Sequence, residues 1–130
     1  MIYINRKYVQ PTTHGDANTA FLLKPFSGDL EDVPGIGKMS KKLLATESDQ
    51  LDFKPMLTSY QLMGKFLSLR TNSMSWDDHC QQFYIWLQEK GLKHHANPIV
   101  YAISEKAKLM LESTGGKCHP KQQVIIITIN

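Results

Sequence analysis

The segment Val33-Pro34-Gly35-Ile36-Gly37 constrains this chain more than any other. Pro34 has no amide hydrogen, and two glycines so close together disfavour both helix and strand. No regular element therefore runs through it. Lys38 to Thr46, which follows, is helix-forming and carries Leu43 and Leu44 as apolar anchors. Leu30 to Val33, which precedes, has room for a single turn. The segment reads as a tight hairpin between two short helical arms, which only further helices can hold in place.

Those further helices are legible. Asp16 to Leu23 is a short first helix, stopped by Pro25. Pro55 opens another, with Met56, Leu57, Tyr60, Met63, Gly64 and Leu67 spaced by three and four along one face. Ser75, three residues before Asp78, resembles a capping box. It leads the stripe Trp76, Cys80, Phe83 and Leu87, which Gly91 closes. Asn97-Pro98 reads as an N-cap followed by proline at the first helical position. Ile99, Ile103, Ala107 and Met110 form the last stripe. Each stripe needs a partner, so the expected fold is mainly α: a compact bundle of short helices with a helical core at about 15–113. With 130 residues, one domain spanning 1–130 is expected.

The ends read differently. Residues 1–14 alternate apolar and polar side chains at Ile2 to Asn5, continue through Tyr8 and Val9, and break at Pro11. After the helix stop Thr114-Gly115-Gly116, residues 114–130 finish in the uncharged β-branched run Val124 to Ile129. Such a run needs a partner strand. The expectation is a pair of short terminal β-strands, one from each end, capping the bundle within one chain or across two.

Composition narrows the function classes. No run of about 18 apolar residues is present, so no membrane span is expected. The first residues lack the apolar core of a secretory leader. Two cysteines, Cys80 and Cys118, make no disulfide framework and point to a reducing compartment. The net charge of +3, from 15 basic and 12 acidic residues, is too small to identify a polyanion binder. Its distribution says more. Asp29, Glu31 and Asp32 precede the hairpin, Glu47, Asp49 and Asp52 follow its helix, and Lys38, Lys41 and Lys42 stand between. A local basic focus suits a small phosphate footprint; a solvated helix face would look the same.

The hairpin itself carries the sharper reading, a helix-hairpin-helix. Gly35 and Gly37 let the backbone turn and approach a phosphate, and Ile36 points inward as the anchor. The next amides open a helix, where free N–H groups favour an anion. Lys38, Met39, Ser40, Lys41 and Lys42 line that entrance. Such contacts go to phosphate oxygens and read no sequence. The bland alternative is a tight turn whose glycines only relieve crowding. A dinucleotide fingerprint fits poorly, since it needs a preceding strand and a third glycine and neither is present.

Landmarks on both sides of the hairpin resemble the barrier-to-autointegration factor family, small DNA-bridging proteins of animal nuclei. Phe21-Leu22-Leu23-Lys24-Pro25 resembles the end of that family's first helix. Gly64-Lys65-Phe66-Leu67-Ser68-Leu69 resembles its GQFLVL segment, and Phe83-Tyr84-Ile85-Trp86-Leu87 its FREWL segment. Order and approximate spacing hold from about residue 15 to 113. The loop from Glu47 to Asp52 is longer, Lys41 stands where a small residue is usual, the cysteine-rich last helix is absent, and both ends lie outside the pattern. The chain thus resembles a divergent member, of viral or distant eukaryotic origin.

The resemblance implies a homodimer with one hairpin on each outer face. It would bind double-stranded DNA without sequence preference, bridging and compacting it. The implied dimer contact involves the helix bearing Gly64, with Phe53, Leu57 and Phe66 as interface or core residues. Further DNA contacts are implied near Gly15 to Asn18 and in the turn Lys93 to Ala96, with Lys93 and His95 as candidates. It also implies work in the nucleus, or in a cytoplasmic viral factory or virion. No catalytic residue, cofactor or metal is expected. His79-Cys80 with Cys118-His119 is a poor zinc set, because adjacent residues rarely share one metal. Asp77-Asp78 reads as helix-start acids more readily than as a nuclease pair. Two other classes stay open: a repair or nuclease enzyme using the hairpin as a DNA handle, and a protein–protein adaptor.

Overall fold

A computed structural model describes residues 7–11, 16–46 and 55–111. Five α-helices follow in order among them: α1 (Asp16–Leu23), α2 (Lys38–Leu44), α3 (Ser59–Ser68), α4 (Trp76–Glu89) and α5 (Ala96–Leu111), with one 3-10 turn, Leu30–Asp32, ahead of α2. The mainly helical expectation holds. No strand occurs among the described residues: 7–11 run as irregular backbone, and the rest of both expected strands lies outside them.

The last helix is the axis of the fold. α1, α3 and α4 all pack on α5, and the 3-10 turn packs on α2. Ile99, Val100, Ala102, Ile103 and Ala107 are buried as the bundle's centre. Burial around most of its circumference, beyond the expected stripe, is what a helix with three helical neighbours requires. Met110, expected on that stripe, is 40% exposed near its end. Phe21, Leu30, Val33, Leu44, Leu62, Phe66, Phe83 and Leu87 complete one continuous core.

Caps set the helix boundaries, and two starts differ from expectation. α3 begins at Ser59 rather than Pro55. The Thr58 side chain accepts from the Gln61 amide at 3.1 Å, and the Gln61 side chain reaches back to the Thr58 amide at 3.1 Å. This reciprocal box satisfies amides that a start at Pro55 would leave to solvent. α5 begins at Ala96, so Asn97 is no N-cap; its Oδ1 instead accepts from the Val9 amide at 3.4 Å. Ser75 caps α4 as expected, accepting from the Asp78 amide at 3.0 Å. At the other end of α4, Gly91 (φ +102°) closes the helix. Its amide bonds Gln88 O and the Leu92 amide bonds Leu87 O, each at 3.0 Å.

Two buried lysines tie distant segments together. Lys106 donates to the carbonyls of Phe21 (2.7 Å), Leu22 (3.4 Å) and Lys24, closing the end of α1. Lys90 donates to Thr46 O at 2.7 Å, just beyond α2. Burial holds both ammonium groups below the ordinary lysine range, aided at Lys106 by the charge of Lys24.

Candidate nucleic-acid interface

The hairpin is built from its turn outward. Asp29 caps the 3-10 turn by accepting from the Glu31 amide at 3.0 Å, and Leu30 and Val33 are buried beneath it. The Ile36 amide bonds Val33 O at 3.0 Å, closing a four-residue turn with Pro34 and Gly35 at its centre. Gly35 has φ +97°, a conformation that glycine adopts without steric cost. A Cβ there would lie 3.0 Å from Ile99 Cγ1 and 3.2 Å from Pro98 Cγ, so Gly35 also lets the hairpin close on α5. Ile36 is buried as the expected anchor.

Gly37 is different. Its backbone is extended (φ −109°, ψ −163°), which any residue can adopt, and a Cβ would meet nothing within 4 Å. Neither the turn nor the packing requires glycine here. Its carbonyl accepts the Lys41 amide at 3.0 Å, and no side chain caps the first turn of α2. The backbone is bare where the sequence reading places a phosphate.

The five side chains expected at this entrance separate into three groups. Lys38, Met39 and Lys42 are exposed, Met39 at 68%. Ser40 is buried, a correction to its expected phosphate contact. It lies one helical turn from Leu44, whose side chain is fully buried, so the two share the core-facing side of α2. Lys41 is exposed but engaged, 3.5 Å from Glu31 Oε2 and 3.9 Å from Asp29 Oδ1. The sequence showed those acids only as a flank to the basic cluster.

Contacts to the hairpin flank the turn before α5, one at Gly91 and one at Pro98 in the first turn of that helix. A Cβ on Gly91 would lie 3.4 Å from Leu43 Cδ2, and Pro98 packs on Gly35. Between these contacts Lys93, His94 and His95 are exposed. At the other implied contact, Gly15 lies outside the described residues and Asn18 is buried.

α3 carries apolar residues on two faces. Ser59, Leu62, Met63 and Phe66 face the core. Tyr60 and Leu67 are 57% and 43% exposed, and Leu57, just before the helix, is 59% exposed. Gly64 lies between Tyr60 and Leu67 with open space around its Cβ position. The expected single stripe therefore mixes core and surface, and Met63 is its only buried helical member. Phe66 is no interface residue: it is fully buried and stacks on His79 with centroids 4.0 Å apart. Two residues beyond Gly64, it is turned about 200° around the helix. Phe53 lies outside the described residues.

His79 is buried, its Nε2 2.6 Å from Phe66 O and its Nδ1 3.4 Å from Arg70. That geometry assigns the proton to Nε2, which donates to the carbonyl. Burial holds the imidazole below its ordinary range, against the opposing effect of that carbonyl. Cys80 is buried on the core stripe, and burial pushes its thiol up. Asp77 and Asp78 occupy the first turn of α4, where the helix dipole favours them. Beside them a cavity of about 220 Å³ opens between Lys7, Tyr8, Gln10 and Gln81. Among the described residues no three His, Cys, Asp or Glu side chains converge to hold a metal, and no helix is long and apolar enough to cross a membrane. Cys118 and His119 lie outside the described residues.

Comparison of the chain with protein-family models, curated proteins and solved structures returns no match.

Proposed function

We propose that this protein binds double-stranded DNA without sequence preference through the 33–44 hairpin, and bridges DNA as a homodimer. The observation that carries the reading is Gly37. A glycine sits where the backbone is extended and a Cβ would meet nothing within 4 Å, beside exposed Lys38 and Lys42. Close approach of a phosphate to the backbone gives that glycine a reason. The turn bearing exposed Lys93 and His95, which meets the hairpin near Gly91 and Pro98, supplies further phosphate contacts in this reading.

The homodimer rests on the second face of α3. A glycine inside a helix costs about 1 kcal/mol against alanine. Gly64 sits between exposed Tyr60 and Leu67, where a flat apolar face allows close approach of another helix. The second copy of this chain presents the same face, as a two-fold contact requires. The resemblance to barrier-to-autointegration factors, carried by residues from Phe21 to Leu87, supports both halves of the proposal.

A gel-shift series with unrelated duplexes at several salt concentrations tests it. Binding is expected with every duplex, weakening steeply with salt. Labelled DNA is expected to stay intact with magnesium. Cleavage would favour a repair or nuclease enzyme, and no shift at low salt an adaptor.

A further inference from the structure

The three hairpin lysines are not equivalent. Only Lys41 reaches back across the hairpin, placing its ammonium 3.5 Å from Glu31 Oε2 and 3.9 Å from Asp29 Oδ1. Among the described residues, Lys38 and Lys42 have no carboxylate at ion-pair distance. The two acids are themselves fixed. Asp29 Oδ1 holds the Glu31 amide at 3.0 Å, and Ser27 braces the arm by donating to Asp32 and accepting from the Asp29 amide.

We infer that Lys41 is a positioning residue that clasps the two arms of the hairpin, and that its acidic partners set the strength of DNA binding. This rests on the DNA-binding reading of the hairpin. An exposed ion pair contributes little to stability. Its effect on a polyanion is larger, because two carboxylates on one ammonium leave a locally negative group beside the phosphate path. To touch a phosphate, Lys41 would have to abandon both acids and leave their charges uncompensated next to it. The hairpin thus presents two phosphate-binding lysines, Lys38 and Lys42, and holds the third in reserve.

The salt dependence of binding counts these charges. The slope of log K against log salt changes by about 0.9 for each phosphate that the protein neutralises or releases. Measured on a short labelled duplex, Lys38→Ala and Lys42→Ala are each expected to flatten the slope by about 0.9, and Lys41→Ala to leave it unchanged. The double variant Asp29→Asn/Glu31→Gln keeps the Asp29 cap, since asparagine caps equally well. It is expected to bind more tightly, with a slope steeper by about 0.9 as Lys41 is freed. In a Lys41→Ala background the same two substitutions are expected to lose that extra slope. The clasp is overturned, with DNA binding intact, if Lys41→Ala flattens the slope as Lys42→Ala does. It is equally overturned if neutralising the acids steepens the slope to the same extent without Lys41. A wild-type chain that binds no duplex at low salt sinks the DNA-binding reading, and the clasp with it.

Discussion

The ammonium of Lys106 donates to the carbonyl of Phe21, 85 residues earlier, at a distance of 2.7 Å. It also bonds the carbonyls of Leu22 and Lys24 and lies 5.0 Å and 5.4 Å from the ring centroids of Phe21 and Phe26. One buried cation thus closes α1 and fixes it to the central helix. Charge-assisted bonds to carbonyls contribute about 1.5–3 kcal/mol. Lys106→Met is expected to destabilise the fold by about that amount in urea unfolding, whereas Lys38→Met, at an exposed site, should change it by less than about 0.5 kcal/mol.

The two hairpin glycines are expected to respond in opposite ways. Gly35→Ala forces a side chain into φ +97° and against Ile99 and Pro98, and should cost more than about 1 kcal/mol. Gly37→Ala adds a methyl group in open space, so the same unfolding measurement should show stability unchanged or slightly raised.

His79 predicts an acid-sensitive fold. Its folded pKa lies below the ordinary 6.5 because burial disfavours the cation. In the window between the folded value and 6.5 the unfolded chain binds more protons, so stability rises with pH there. The contribution is complete above 6.5 and is lost as pH falls through the folded value. Denaturation midpoints measured down from pH 7.5 should decline below 6.5 more steeply in the wild type than in His79→Gln.

The α3 face predicts the mass in solution. Light scattering should give twice 14.8 kDa for the wild type and 14.8 kDa for Gly64→Glu, with helicity retained because nothing lies within 4 Å of the new Cβ. Phe66→Ala should instead lose about 3–5 kcal/mol of stability, the cost of emptying a fully buried aromatic site. A wild-type monomer at working concentration would remove the bridging mechanism.

Much of this fold was legible because local chemistry and tertiary packing agree. Asp16 to Leu23, the Ser75 cap and the Gly91 stop stand where their residues direct them. α3 starts later than the Pro55 signal directs because Thr58 and Gln61 form a reciprocal cap. Its core face was blurred because apolar residues occupy both sides, and periodicity alone does not say which side meets α5. In the hairpin, Pro34, Gly35 and Ile36 were readable from turn chemistry. The burial of Ser40 follows from where Leu44 points, and the engagement of Lys41 from how the acidic arm folds back. Both are tertiary facts. Lys106 gave no sign at all, since a lysine among charged neighbours reads as surface.

The proposed DNA binding stands or falls on a phosphate meeting the bare backbone at Gly37. The decisive experiment is fluorescence anisotropy of two unrelated labelled duplexes, titrated at low salt with wild-type protein and with Gly37→Glu. The wild type is expected to bind both duplexes with equal affinity. A Gly37→Glu variant whose circular dichroism and unfolding midpoint match the wild type is expected to bind neither. If that folded variant binds as the wild type does, the hairpin is not the DNA site.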